Sequence, residues 1–173
     1  AAAILVVPLL ISSLFFSYLY YTTGRNVKTG ASVVFAEISS MPGTITRLVL
    51  PDQSVVWLNA GSRLVYPSVF DEKERKVQLF GEGYFEVEAD PEHPFSVSTS
   101  EGLRVIAYGT KFNVNAYDDE PFIEAVLEKG KIDVIRNDER IRLEPNKQVV
   151  LNKESGVFRV SAVNLDEKMD WRK

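Results

Sequence analysis

From Val33 to Ala162, apolar and polar side chains alternate with a period of two, and turn residues interrupt the alternation about every ten positions. The pattern predicts strands over Val33–Ile38, Thr44–Leu50, Val55–Asn59, Leu64–Tyr66, Lys76–Phe80, Tyr84–Glu88, Phe95–Thr99, Arg104–Tyr108 and Phe112–Tyr117. It continues through Ile123–Leu127, Lys131–Ile135, Arg140–Leu143, Gln148–Leu151 and Phe158–Ala162. Separators such as Pro42-Gly43, Pro51-Asp52, Asp90-Pro91, Gly109, Gly130 and Pro145-Asn146 mark the connections. No long helix fits between these strands. The expected fold is all-β, with many short, mostly antiparallel strands in a twisted sandwich or a solenoid-like stack. No strict repeat supports a regular solenoid. After the last strand, Val163–Lys173 has the composition of a helix start, with Asn164 or Asp166 as its cap.

A different pattern precedes the strands. Ala1–Gly24 carries no charge, and all 20 basic and 24 acidic side chains follow it. The apolar stretch Ala1–Tyr21 would make a helix roughly 31 Å long, which matches the hydrocarbon core of a bilayer. It ends in Phe15, Phe16, Tyr18, Tyr20 and Tyr21, as an interfacial aromatic belt would. A signal peptide would be shorter and would offer small residues for cleavage. The expected organisation is a transmembrane helix over residues 1–22, a linker and first strand over 23–43, a β-domain over 44–161, and the start of a truncated C-terminal domain over 162–173. The chain begins inside the apolar run without Met, so further residues are expected upstream.

Composition narrows the chemistry. The net charge of −4 leaves no basic footprint for nucleic acid. Cysteine is absent and His93 is the single histidine, so thiol chemistry is excluded and a histidine-rich zinc site cannot be built.

The candidate chemical groups each have a plainer reading. Glu82, Glu86 and Glu88 resemble an acid–base cluster, but with Tyr84 they share one strand face while Phe85 and Val87 share the other. A solvated face paired with Lys or Arg on a neighbouring strand is expected. Trp57 could stack on a sugar, or it could anchor or seal the core. Asp118, Asp119 and Glu120 lack the spacing of a calcium loop. At Gly109-Thr110 the Thr hydroxyl could attack the preceding carbonyl, giving an ester that water cleaves, provided a base and oxyanion donors are present. The plainer reading is a bulge or turn.

Four blocks, taken in order, carry a family likeness. The first is Leu48-Val49-Leu50-Pro51-Asp52-Gln53-Ser54-Val55-Val56-Trp57-Leu58-Asn59-Ala60-Gly61-Ser62, running into Leu64-Val65-Tyr66-Pro67. The second, Arg75-Lys76-Val77-Gln78-Leu79-Phe80-Gly81-Glu82-Gly83-Tyr84-Phe85-Glu86-Val87, is followed by Pro94-Phe95-Ser96-Val97. The third is Gly109-Thr110-Lys111-Phe112-Asn113-Val114-Asn115-Ala116-Tyr117, and the fourth, weaker, runs from Leu127 through Gly130 to Gln148. Together they resemble the extracytoplasmic domain of FecR-type anti-sigma factors of the Bacteroidetes form. The residues that carry the motif are Pro51, Asp52, Trp57, Asn59, Gly81, Glu82, Tyr84, Phe85, Phe112 and Asn113. Three positions depart from the family pattern: Gln53 and Asn146 replace glycines, and Tyr108 replaces the leucine before Gly-Thr. Gln disfavours positive φ, so a turn of another type, such as type I, is expected at Pro51–Ser54.

The resemblance implies a regulator and not an enzyme acting on a separate substrate, with no cofactor. A region upstream would hold an extracytoplasmic-function sigma factor in the cytoplasm. The span would cross the inner membrane, in contact with its lipid, and the β-domain would lie in the periplasm. The C-terminal domain would meet the signalling domain of an outer-membrane TonB-dependent transporter, and envelope and intramembrane proteases would release the sigma factor. Some relatives are nicked at a Gly-Thr pair matching Gly109-Thr110. The alternative is a membrane-tethered carbohydrate-binding or envelope-assembly module.

Overall fold

The computed structural model describes residues 11–19 and 33–172, which fall in two separate units. In the first, residues 11–19 form a helix, α1, with exposed side chains. Among the described residues no helix is long and apolar enough to cross a membrane, and the expected span over residues 1–22 lies largely outside them.

The second unit is the β-domain. Its strands are β1 (Phe35–Ser39), β2 (Thr46–Val49), β3 (Val55–Leu58), β4 (Arg63–Pro67), β5 (Arg75–Glu86), β6 (Phe95–Ser98) and β7 (Arg104–Ala107). They continue with β8 (Lys111–Ala116), β9 (Phe122–Lys129), β10 (Ile132–Arg136), β11 (Glu139–Leu143), β12 (Lys147–Asn152) and β13 (Phe158–Ala162). One sheet runs β1-β4-β5-β6-β7-β10-β11 and the other β2-β3-β5-β8-β9-β12-β13. Every ladder is antiparallel except β5–β6. The inward residues of both sheets, among them Leu64, Leu79, Phe95, Val97, Val105 and Val134 from one and Val56, Leu58, Phe85, Phe112, Ile123 and Leu127 from the other, meet in one hydrophobic cluster. This is the sandwich arrangement, with alternate residues turned inward along each strand.

The two strands predicted over Lys76–Phe80 and Tyr84–Glu88 are one. β5 runs unbroken through Gly81-Glu82-Gly83, pairing its first half with β4 and β6 and its second half with β3 and β8. A single strand therefore belongs to both sheets. Gly81 makes the passage possible with φ +84°. A Cβ there would lie 2.6 Å from the Ser62 hydroxyl and 2.9 Å from the Tyr117 ring. Only glycine satisfies both demands.

Beyond β13, a single helical turn, α2 (Leu165–Lys168), is followed by a 3₁₀ turn over Asp170–Arg172. Asn164 is the cap, its side chain accepting from the Asp166 amide.

Candidate functional site

The motif residues converge mainly around the second half of β5 and on the outer face of the second sheet. Asn59 ends β3 opposite Glu82, whose carbonyl accepts from its backbone N–H at 3.0 Å. Asn59 Nδ2 also donates to Glu82 Oε2 at 2.7 Å, and Asn113 Nδ2, from β8, donates to Glu82 Oε1 at 2.7 Å. The carboxylate is thus buried between two amides, with no cation paired to it among the described residues. Burial is the main cause that holds its pKa above the ordinary carboxylate value; the two amides pull the other way, and Glu120 and Glu124 add a smaller upward push. The backbone N–H of Glu82 donates to Ser62 Oγ, which itself donates to the Tyr117 hydroxyl. Tyr117 in turn donates to the carbonyl of Ala60. The expected solvated glutamate face is therefore corrected at Glu82 alone: Glu88 is exposed, and Glu86 pairs with Lys111 on the neighbouring strand at 3.0 Å.

Next to Glu82 on this face, Tyr84 is fully buried and donates its hydroxyl to Glu128 Oε2 at 2.8 Å. Burial, reinforced by that bond, pushes its pKa well above the usual phenol value. Half-buried Trp57 packs edge-on against Tyr84, with ring centroids 5.6 Å apart, and the Arg47 guanidinium lies 5.4 Å from its ring centre. With Val126 and Met169 these rings form a second, smaller apolar cluster, to which Val163, Leu165 and Trp171 also belong. What covers this face is the chain's own 163–172 segment. Trp57 seals an outer cluster and does not stand as an open stacking platform. On the opposite face, Phe85 and Phe112 stack at 5.1 Å inside the main core.

A second polar centre lies at the other end of β5. Arg75 is buried and donates to Asp52 Oδ2 at 2.6 Å, to the carbonyl of His93 at 2.8 Å, and to the carbonyl of Glu88 at 3.1 Å. Asp52 is also held by the Ser54 hydroxyl at 2.6 Å, and that same hydroxyl accepts from the Glu88 amide. One guanidinium fork thus fastens the 51–54 turn to the 88–93 connection, a task that needs several fixed donors. Pro51, beside it, is exposed at the tip of the turn.

The turn at Pro51–Ser54 keeps a left-handed residue after all. Gln53 has φ +71°, its N–H donates to Leu50 O, and the Leu50 N–H donates to Ser54 O. A three-residue hairpin loop places its left-handed position there, whichever side chain occupies it.

Gly109 and Thr110 lie between β7 and β8, against the chain that leaves β5 toward the Arg75 centre. Gly109 has φ +112°, and a Cβ on it would come within 2.8 Å of Ala89. Thr110 is buried, its carbonyl accepts from the Val87 amide at 2.9 Å, and its hydroxyl has no hydrogen-bond partner. The pair sits where the chain bends between the two strands, and no base is hydrogen-bonded to the hydroxyl.

Sequence reasoning missed Arg75, Glu128 and Arg172. Arg75 left a signal: it shares strand parity with the core residues Val77 and Leu79, so a charge sits at an apolar-phase position. Glu128 and Arg172 left none, because their meeting depends on where the chain returns after β13.

Residues 36–133 match the family model described as FecR protein. The chain belongs to the FecR family. The matched stretch contains the Asn59–Glu82–Asn113 centre, the Asp52 turn and the Trp57–Tyr84 pair. Two crystal structures of a candidate anti-sigma factor from Parabacteroides distasonis ATCC 8503 share the fold. One is 32% identical with a TM-score of 0.77, covering 80% of this chain and 65% of that one. The other is 33% identical with a TM-score of 0.76, covering 79% and 64%. The chain therefore spans just under two thirds of those proteins' length. No curated protein matches it.

Proposed function

We propose that this FecR chain is the envelope portion of an anti-sigma regulator and performs no chemistry on a separate substrate. The observation that carries the reading is the FecR match over the β-sandwich, joined to about 33% identity with a candidate anti-sigma factor. In this reading the charge-free Ala1–Tyr21 run spans the inner membrane among its lipids and the β-domain lies in the periplasm. A region on the cytoplasmic side engages an extracytoplasmic-function sigma factor. The signalling domain of a TonB-dependent transporter supplies the input, and envelope and intramembrane proteases release the sigma factor. The polar groups support a structural role: Glu82 and Arg75 are consumed in internal hydrogen bonds.

The topology has a clean test, because the chain has no cysteine. Exposed Ser68→Cys should react with a membrane-impermeant maleimide in intact spheroplasts, and the protein should resist carbonate extraction. Labelling only after lysis, or release by carbonate, overturns the placement. The regulatory role is tested by co-purifying the full-length protein with sigma factors and by reporter output after its deletion. Nicking at Gly109-Thr110 belongs to the same proposal: the native chain should run as two fragments and Thr110→Ala as one. A single band for the native chain ends that part alone.

A further inference from the structure

The 163–172 segment differs in kind from the sandwich on which it lies. Its helix is a single turn, too short to hold itself together without its surroundings. Met169 is its one buried side chain, wedged against Tyr84 and Val126. Val163, Leu165 and Trp171 are only partly buried against the same cluster. Lys168 pairs with Glu124 at 2.7 Å and Arg172 with Glu128 at 3.4 Å, and the Arg172 guanidinium lies 3.5 Å from the centre of the Tyr84 ring. Partly exposed ion pairs of this kind contribute modestly to stability. The segment does not close flush on the sheet. A cleft of about 390 Å³, open to solvent, is lined by Trp57, Glu128, Leu165, Asp166, Met169 and Arg172. Trp171 Nε1 and Arg172 Nε are buried without hydrogen-bond partners. The strands below need no backbone hydrogen bond from the segment, because β3, β5, β8 and β9 are all paired on both sides within the sheet.

We propose that residues 163–172 form a releasable clasp, opening and closing on the outer face of the second sheet while the sandwich stays folded. Segments with few buried apolar contacts open locally well below the free energy of global unfolding. Opening uncovers Trp57, Tyr84 and Val126 and frees the Glu128 carboxylate from Arg172. Whatever pulls on, or binds to, the chain beyond Ala162 therefore acts first on the clasp and leaves the β-ladders intact. The inference rests on these contacts and stands whether or not the chain regulates a sigma factor.

The protein carries its own reporter. Its two tryptophans, Trp57 and Trp171, both belong to the clasp cluster. In a urea titration of the full 173-residue chain in neutral detergent, tryptophan fluorescence should change before the far-ultraviolet strand signal. In native-state hydrogen exchange, the amides of Val163 and Met169, which donate to Asn146 O and Leu165 O, should exchange at least a hundredfold faster than those of β8 and β9. Arg172→Ala should speed their exchange several-fold further and leave β8 and β9 unchanged, and Met169→Ala should do the same. Coincident fluorescence and strand transitions, or equal protection of the clasp and the ladders, would overturn the proposal. So would an Arg172→Ala effect spread evenly over the whole domain.

Discussion

Asn113 gives its side-chain amide to Glu82 diagonally across the β5–β8 ladder, where the paired residue of Glu82 is Asn115 and that of Asn113 is Tyr84. Asn59 supplies the second amide from β3. Glu82→Ala removes the acceptor of both and leaves two donors without partners, at a cost of about 2–4 kcal/mol. Urea unfolding followed by circular dichroism measures it. A loss below half a kcal/mol would show that solvent replaces the carboxylate.

Glu82→Gln should behave differently. Asn113 Oδ1 has no partner, so the Asn113 amide can turn over to meet a Gln nitrogen, and the loss should stay near 1 kcal/mol. The pH dependence should change as well. The folded state raises the Glu82 pKa above 4.5, chiefly through burial. Its contribution to stability is therefore fully present below the unfolded pKa and is lost as pH rises through the folded one. From pH 4.5 upward, the native chain should lose stability relative to Glu82→Gln. Parallel stability curves from acid to neutral pH would contradict this.

Arg75→Lys is the informative change at the other centre. Lysine keeps the charge for Asp52 but cannot also reach the carbonyls of Glu88 and His93 with a fixed fork. Arg75→Ala should cost about 3–5 kcal/mol, because the Asp52 carboxylate then loses its cation. Arg75→Lys should fall between that variant and the native chain. Thermal melts of the three proteins give the order.

Gly81→Ala places a methyl against Ser62 and Tyr117 at a left-handed φ. Strain of about 1–2 kcal/mol from the backbone and about 1–3 kcal/mol from crowding should add. Gln53→Gly goes the other way. It relieves the left-handed penalty at φ +71°, and after the extra entropy glycine loses on folding it should stabilise by about 0.5–1 kcal/mol. Urea midpoints of both variants against the native chain test the opposite signs.

Period-two alternation made the strands legible, because each sheet turns one face to a shared core. Where the reading failed, the reason is non-local. The Gly81-Glu82-Gly83 stretch looks like a break between strands, yet the glycines mark the passage of one strand between two sheets. Glu82 looked solvated from parity alone. Parity tells which face a residue takes but not what encloses it there: Asn59 and Asn113 reach Glu82 from the neighbouring strands, and Met169 packs on the adjacent Tyr84 from far along the chain. At Gln53 the side chain's preference pointed to an ordinary turn, while the hairpin geometry set by the flanking strands prevailed.

Because β5 is shared, the two layers of the sandwich cannot slide or hinge past one another without tearing its ladders with β4 and β6 or with β3 and β8. The body is mechanically a single piece, and shear within it is blocked by covalent continuity as well as by packing. Mechanical messages crossing such an object must travel as whole-body displacement or as peeling at its margins.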